Sequence, residues 1–133
     1  MNDDLIARLE RATEGSRELD AEIAVAVRSL DTEGDKSLPK WAGKNYPIWR
    51  ARPDGRVECV HTDGTGSLNW SPLHYTTSID AALSLVPEGH DWIVADVNGH
   101  VGGTPYACVG SKKPHFAETP ALALCIAALR ARR

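Results

Sequence analysis

The chain has 133 residues, 42% of them hydrophobic and 25% charged, with a formal charge of −3 and a pI near 5.9. These values describe one ordinary folded domain spanning residues 1–133, exclude a disordered tract or a coiled coil, and give no broad attraction to DNA or RNA polymers. Cys59, Cys108 and Cys125 are odd in number and far apart, which points to reduced, buried thiols and away from a disulfide framework.

The start, Met-Asn-Asp-Asp-Leu-Ile, is acidic and has neither the basic nor the apolar region of a signal peptide, and no apolar run reaches membrane-spanning length. The expectation is a soluble protein of the cytoplasm. Asp3 or Asp4 caps a first helix with Leu5, Ile6, Leu9 and Ala12 at helical spacing, closed by Gly15. Ser16 caps a second, whose stripe is Leu19, Ile23, Ala26, Val27 and Leu30 and whose Glu18 and Asp20 suit the positive end of the helix dipole. The two are expected to form a bent helical hairpin. Residues 31–43, broken by Gly34, Pro39 and Gly43, read as an exposed mobile connection.

Tyr46–Arg52 and Arg56–His61 flank Pro53-Asp54-Gly55, a turn signal that folds two β-prone runs into a hairpin. Asp63-Gly-Thr-Gly-Ser67 is a further turn, followed by a short strand at Leu68–Trp70. Thr77 or Ser78 caps a third helix with Ile79, Ala82, Leu83 and Val86 on one face, stopped by Pro87-Glu88-Gly89. Asp91–Val97 and Thr104–Gly110 read as strands joined through Asn98-Gly99, with Gly102-Gly103 and Pro105 making the second irregular. After the polar Lys112-Lys113-Pro114, Thr119 caps a last helix with Pro120 in its first turn and a stripe of Leu122, Cys125, Ile126 and Leu129. This order predicts an α+β fold, an antiparallel sheet sandwiched between amphipathic helices.

Three segments, Ser16–Ala24, Tyr75–Gly89 with Trp92, and Thr119–Arg132, together resemble the small phage and prophage proteins of the phage ABA sandwich domain family. The resemblance implies a sheet between helical layers. It also implies a setting, a virus-derived accessory protein inside a bacterial host cell, where such proteins bind a host defence protein or a nucleotide signal.

The richest recognition segment is 41–70, where Trp41, Tyr46, Trp49 and Trp70 lie among Lys40, Lys44, Arg50, Arg52 and Arg56. Indole faces stack on nucleobases and guanidinium groups take phosphate oxygens in a fork, so Trp41, Trp49, Arg50, Arg52, Arg56 and Trp70 are the candidate ligand-binding residues. The competing reading makes Trp49 core, Trp41 a cover for the sheet and the arginines a solvated strand face. The turn at 63–67 and the helix starts at Ser78 and Pro120 offer backbone amides to an anion, but no Walker or dinucleotide fingerprint accompanies them. Cys59, His61 and Asp63 alternate along one strand edge without a second ligand cluster, so neither a metal nor a cofactor is expected, and no catalytic residue is assigned.

The function expected from these residues is a binding protein that sequesters a small nucleotide-like immune signal to counter antiviral defence. Burying such a ligand favours a pocket between subunits and hence a homo-oligomer. The alternatives are an inhibitor that docks on a host defence protein through an exposed aromatic patch, and a small hydrolase that degrades the signal.

Overall fold

From Ala121 to Leu129 the sequence holds nine consecutive apolar residues, and a helix with no polar face has to be surrounded. In the computed structural model, which describes residues 2–33, 36–96, 104–110 and 113–132, all nine are buried within helix α5, Pro120–Ala131. The expected amphipathic stripe is thus a fully enclosed helix. Thr119 caps it, its Oγ1 accepting from the Leu122 amide at 3.2 Å.

Around α5 the chain assembles the first of two compact units, residues 1–15 with 75–133. Helix α1, Asn2–Arg11, lays Leu5, Ile6 and Leu9 against it, with Asp3 and Asp4 inside the first turn and not at the cap. The short helix α4, Ile79–Leu83, is capped by Ser78, whose Oγ accepts from the Ala81 amide. Because α4 ends at Leu83, the helical spacing does not carry on to Val86: Ala82 and Leu85 are buried, whereas Ile79 faces outward. Strands β6 (Trp92–Asp96), β7 (Pro105–Val109) and β8 (His115–Phe116) form an antiparallel sheet in that order, with Trp92 opposite Val109 and Tyr106 opposite Phe116. Ala107 and Val109 point into the core toward α5. The expected turn at Asn98-Gly99, Gly102-Gly103, His100 and Lys112 lie outside the described residues.

Residues 16–74 form the second unit, so the expected helical pair is divided between the two. Helix α2, Arg17–Val27, begins at Ser16, whose Oγ accepts from the Leu19 amide at 3.1 Å, and buries Leu19, Ala21, Ile23 and Ala24. Its Asp20 is also fully buried, and Arg17 answers the charge at 2.8 Å while donating to the Pro72 carbonyl at 2.7 Å. Residues 31–43, expected to be a plain connection, are structured: β1 (Asp31–Thr32) pairs with β2 (Lys36–Ser37), and helix α3 (Lys40–Asn45) follows, with Ala42 buried. Gly43 lies inside α3, and Gly34 is outside the described residues.

Strands β3 (Ile48–Ala51), β4 (Val57–Val60) and β5 (Ser67–Trp70) form an antiparallel meander. The Pro53-Asp54-Gly55 turn closes its first hairpin, with Gly55 at φ 87°, where a Cβ would sit 2.5 Å from the Arg17 Cβ. The α+β class therefore holds, with the main strands in two three-stranded antiparallel sheets. Among the described residues no helix is long and apolar enough to cross a membrane.

Candidate recognition surface

Strand alternation sorts the β3–β5 sheet into two faces. Trp49, Ala51, Val57, Cys59, Leu68 and Trp70 share the inner face, where α2 packs, and Ile48, Arg50, Glu58, Val60, Ser67 and Asn69 share the outer one. This partition separates the candidate ligand-binding residues.

Trp70 is 3% exposed and meets Trp49 edge to face, ring centroids 5.1 Å apart. Arg28, in left-handed conformation at φ 56°, places its guanidinium 5.1 Å above the Trp49 ring and donates to the Pro47 carbonyl at 3.2 Å. The Trp49 indole N–H donates to the Tyr46 carbonyl at 2.8 Å. Both indoles are thus occupied by the protein itself, and the Trp70 Nε1 is buried without a hydrogen-bond partner.

On the outer face the arginines are engaged as well. Glu58 takes Arg50 Nε at 2.5 Å and Arg52 at 3.5 Å, while Arg52 also reaches Asp54 at 3.3 Å and the Asn69 side-chain oxygen at 3.1 Å. A phosphate approaching these guanidinium groups competes with carboxylates already in place. Arg56, just past the turn, is exposed. Beside the ladder lies an open basin of about 260 Å³, lined by Arg50, Glu58, Val60 and residues 64–67.

Trp41 stands apart from the other indoles. It is 52% exposed on α3, between Lys40 and Lys44, which are exposed too. Tyr46 lies 6.3 Å from it by ring centroids, and the His61 ring meets Tyr46 edge-on at 5.1 Å. The Asn45 carbonyl accepts from both the amide and hydroxyl of Thr62 at 2.9 Å, tying α3 to the loop after β4. Ile48, at the start of β3, is 58% exposed. Trp41 and Tyr46 thus form an aromatic pair at α3, a helix that also carries the exposed Lys40 and Lys44.

The Cys59, His61, Asp63 series does not converge. Cys59 is buried on the inner face, where burial pushes its thiol pKa up, while His61 Nδ1 lies 2.8 Å from an exposed Asp63 carboxylate. Asp63 also accepts from the Thr65 hydroxyl and amide, and these bonds, with His61, hold its pKa down at about 2. That is a self-contained turn. Among the described residues no group of three histidine, cysteine or acidic side chains is placed to hold a metal ion.

In the other unit, the α4 and α5 starts open on a pocket of about 320 Å³ whose lining includes Glu14, Ile79 and Pro120. The Glu14 carboxylate in that lining disfavours an anion there.

Sequence reasoning missed the exposure of Ile48 and the pairing of the arginines. A turn centred on Asp54 sets Arg50 opposite Glu58, so the second was available from the hairpin register. Comparison with family models, curated proteins and solved structures finds no match.

Proposed function

We propose that this protein works by docking on a macromolecular partner, a protein surface bearing negative charge, through the side chains of Trp41, Tyr46 and Ile48. The observation that carries this reading is the half-exposed Trp41 ring, paired with Tyr46, on a helix that also presents Lys40 and Lys44, with Ile48 exposed at the start of β3. Large exposed apolar side chains suit the centre of a protein interface, where aromatic residues dominate binding energy and nearby charges guide the approach. Enclosing a small molecule calls for concavity, and the inward-facing tryptophans and the Glu58-bound arginines are unavailable for it. The resemblance to small phage proteins supplies a setting in which the partner is a host defence protein in a bacterial cell.

The test is capture of binding partners by the intact protein, compared with Trp41→Ala, Ile48→Ser and the charge-reversed pair Lys40→Glu with Lys44→Glu. Loss of one defined protein partner in all three supports the reading, whereas capture unchanged by Trp41→Ala overturns it. Calorimetry against cyclic and linear nucleotides runs in parallel. Saturable heat abolished by Arg50→Ala would move the site to the basin at the Gly64–Ser67 turn and favour sequestration of a nucleotide signal instead.

A further inference from the structure

Among the described residues, the sheet built on α5 ends in a strand whose edge carries no lysine, proline or bulge. β6 is terminal in the order β6–β7–β8, and its first four residues, Trp92-Ile93-Val94-Ala95, carry no charge. Edge strands of monomers are commonly guarded by lysine, proline or a bulge, because their free backbone groups are a template for another strand. Here the edge is apolar on both faces. Trp92 is 47% exposed on the side facing α5, and Ile93 is 56% exposed on the opposite side, which it shares with Ala95, Tyr106, Cys108 and Phe116.

The register says which backbone groups are free. The Gly110 amide donates to the Asp91 carbonyl at 2.7 Å, which makes that pair hydrogen-bonded. Bonded and non-bonded pairs alternate along an antiparallel ladder, so Ile93 and Ala95 direct their N–H and C=O toward β7. Trp92, Val94 and Asp96 direct theirs outward.

We infer that the outer edge of β6 is a self-association site, where a second copy of this chain adds its own β6 antiparallel to the first about a two-fold axis through Val94. In this register Val94 exchanges both backbone hydrogen bonds with its counterpart, and Trp92 pairs with Asp96 of the other copy on each side. All three outward-directed residues of each strand are thereby used. Ile93 falls opposite Ala95 in the two non-bonded pairs, where side chains approach most closely, so exposed apolar area is covered on the outer face. The strand is self-complementary because its centre is uncharged and a large residue on one side meets a small one on the other. The two sheets become one six-stranded sheet with both α5 helices on the same side, an isologous arrangement that closes on itself.

Sedimentation of the full chain over a concentration series tests this, with twice the chain mass expected. Val94→Pro removes an N–H that faces away from β7 and is therefore expected to leave β6 paired within its own sheet while abolishing the dimer. Because that variant can also disturb folding, the second arm places Ile93→Cys with Ala95→Cys in a Cys108→Ala background. Mild oxidation is expected to give a covalent dimer on a non-reducing gel. A chain that stays monomeric throughout overturns the inference, and so does a dimer that persists in a folded Val94→Pro variant or that yields no crosslink.

Discussion

The two units of this protein bury their apolar residues by opposite geometries. In the unit of residues 1–15 and 75–133, a helix with nothing polar between Ala121 and Leu129 sits at the centre, and α1, α4 and the β6–β8 sheet close around it. In the unit of residues 16–74 the core is the inner face of a three-stranded sheet against α2, with two tryptophans from different strands, Trp49 on β3 and Trp70 on β5, meeting edge to face. A central helix distributes its contacts in every direction. A sheet face concentrates them, and its opposite side remains free to carry charge.

Substitutions at buried positions break the comparison most forcefully. Leu124→Ala empties a position touched on all sides and is expected to lose about 3–5 kcal/mol in denaturant unfolding, and Trp70→Ala a similar amount. Trp70→Phe sharpens the contrast: it deletes a buried N–H that has no partner, so the loss is expected to stay below about 1.5 kcal/mol. Arg17→Met leaves the buried Asp20 carboxylate without its cation and is expected to lose about 3 kcal/mol, restored in part when Asp20→Asn is added.

Smaller effects follow at the helix starts and in the titrations. Ser16→Ala in one unit and Thr119→Ala in the other each remove one capping bond and are expected to lose about 1 kcal/mol, measured in parallel thermal melts. His115 is pushed below its ordinary value of 6.5 by burial first and then by Arg130 and Lys113, with Glu10 opposing. The neutral ring is therefore the one that fits. Stability is undiminished above 6.5 and declines as pH falls from there toward the lower folded value, and His115→Gln is expected to flatten that slope in melts across pH 5–8. Asp63 has the opposite sign: its contribution is full above 3.8 and is lost as pH falls toward about 2, followed by the chemical shift of its carboxyl carbon.

Much of this architecture is legible in the chain itself. Ser16, Ser78 and Thr119 announce their helices because a side-chain oxygen and free amides are local chemistry, and Pro53-Asp54-Gly55 announces its hairpin for the same reason. The division of strands into two sheets is not local, since the same alternation serves either partner. Residues 31–43 mislead because Pro39 and Gly43, which read as breaks, stand at the start and inside of a helix that buries Ala42. Of the candidate binding residues, composition identifies the segment but not the side. Which indoles turn inward is decided by register, and only Trp41, on a short helix outside the ladder, escapes it.

Where the chain leaves the first unit at Gly15 and rejoins it at Tyr75, the two passages run side by side: a Cβ on Gly15 would lie 2.3 Å from the Thr76 carbonyl oxygen. Everything between is a cassette with neighbouring ends. During synthesis, α1 emerges with Leu5, Ile6 and Leu9 uncovered and has to wait for α5, far downstream at Pro120–Ala131, before that surface is sheltered. The inner segment, by contrast, has all its partners as soon as residue 74 is out, so order of birth favours its folding first.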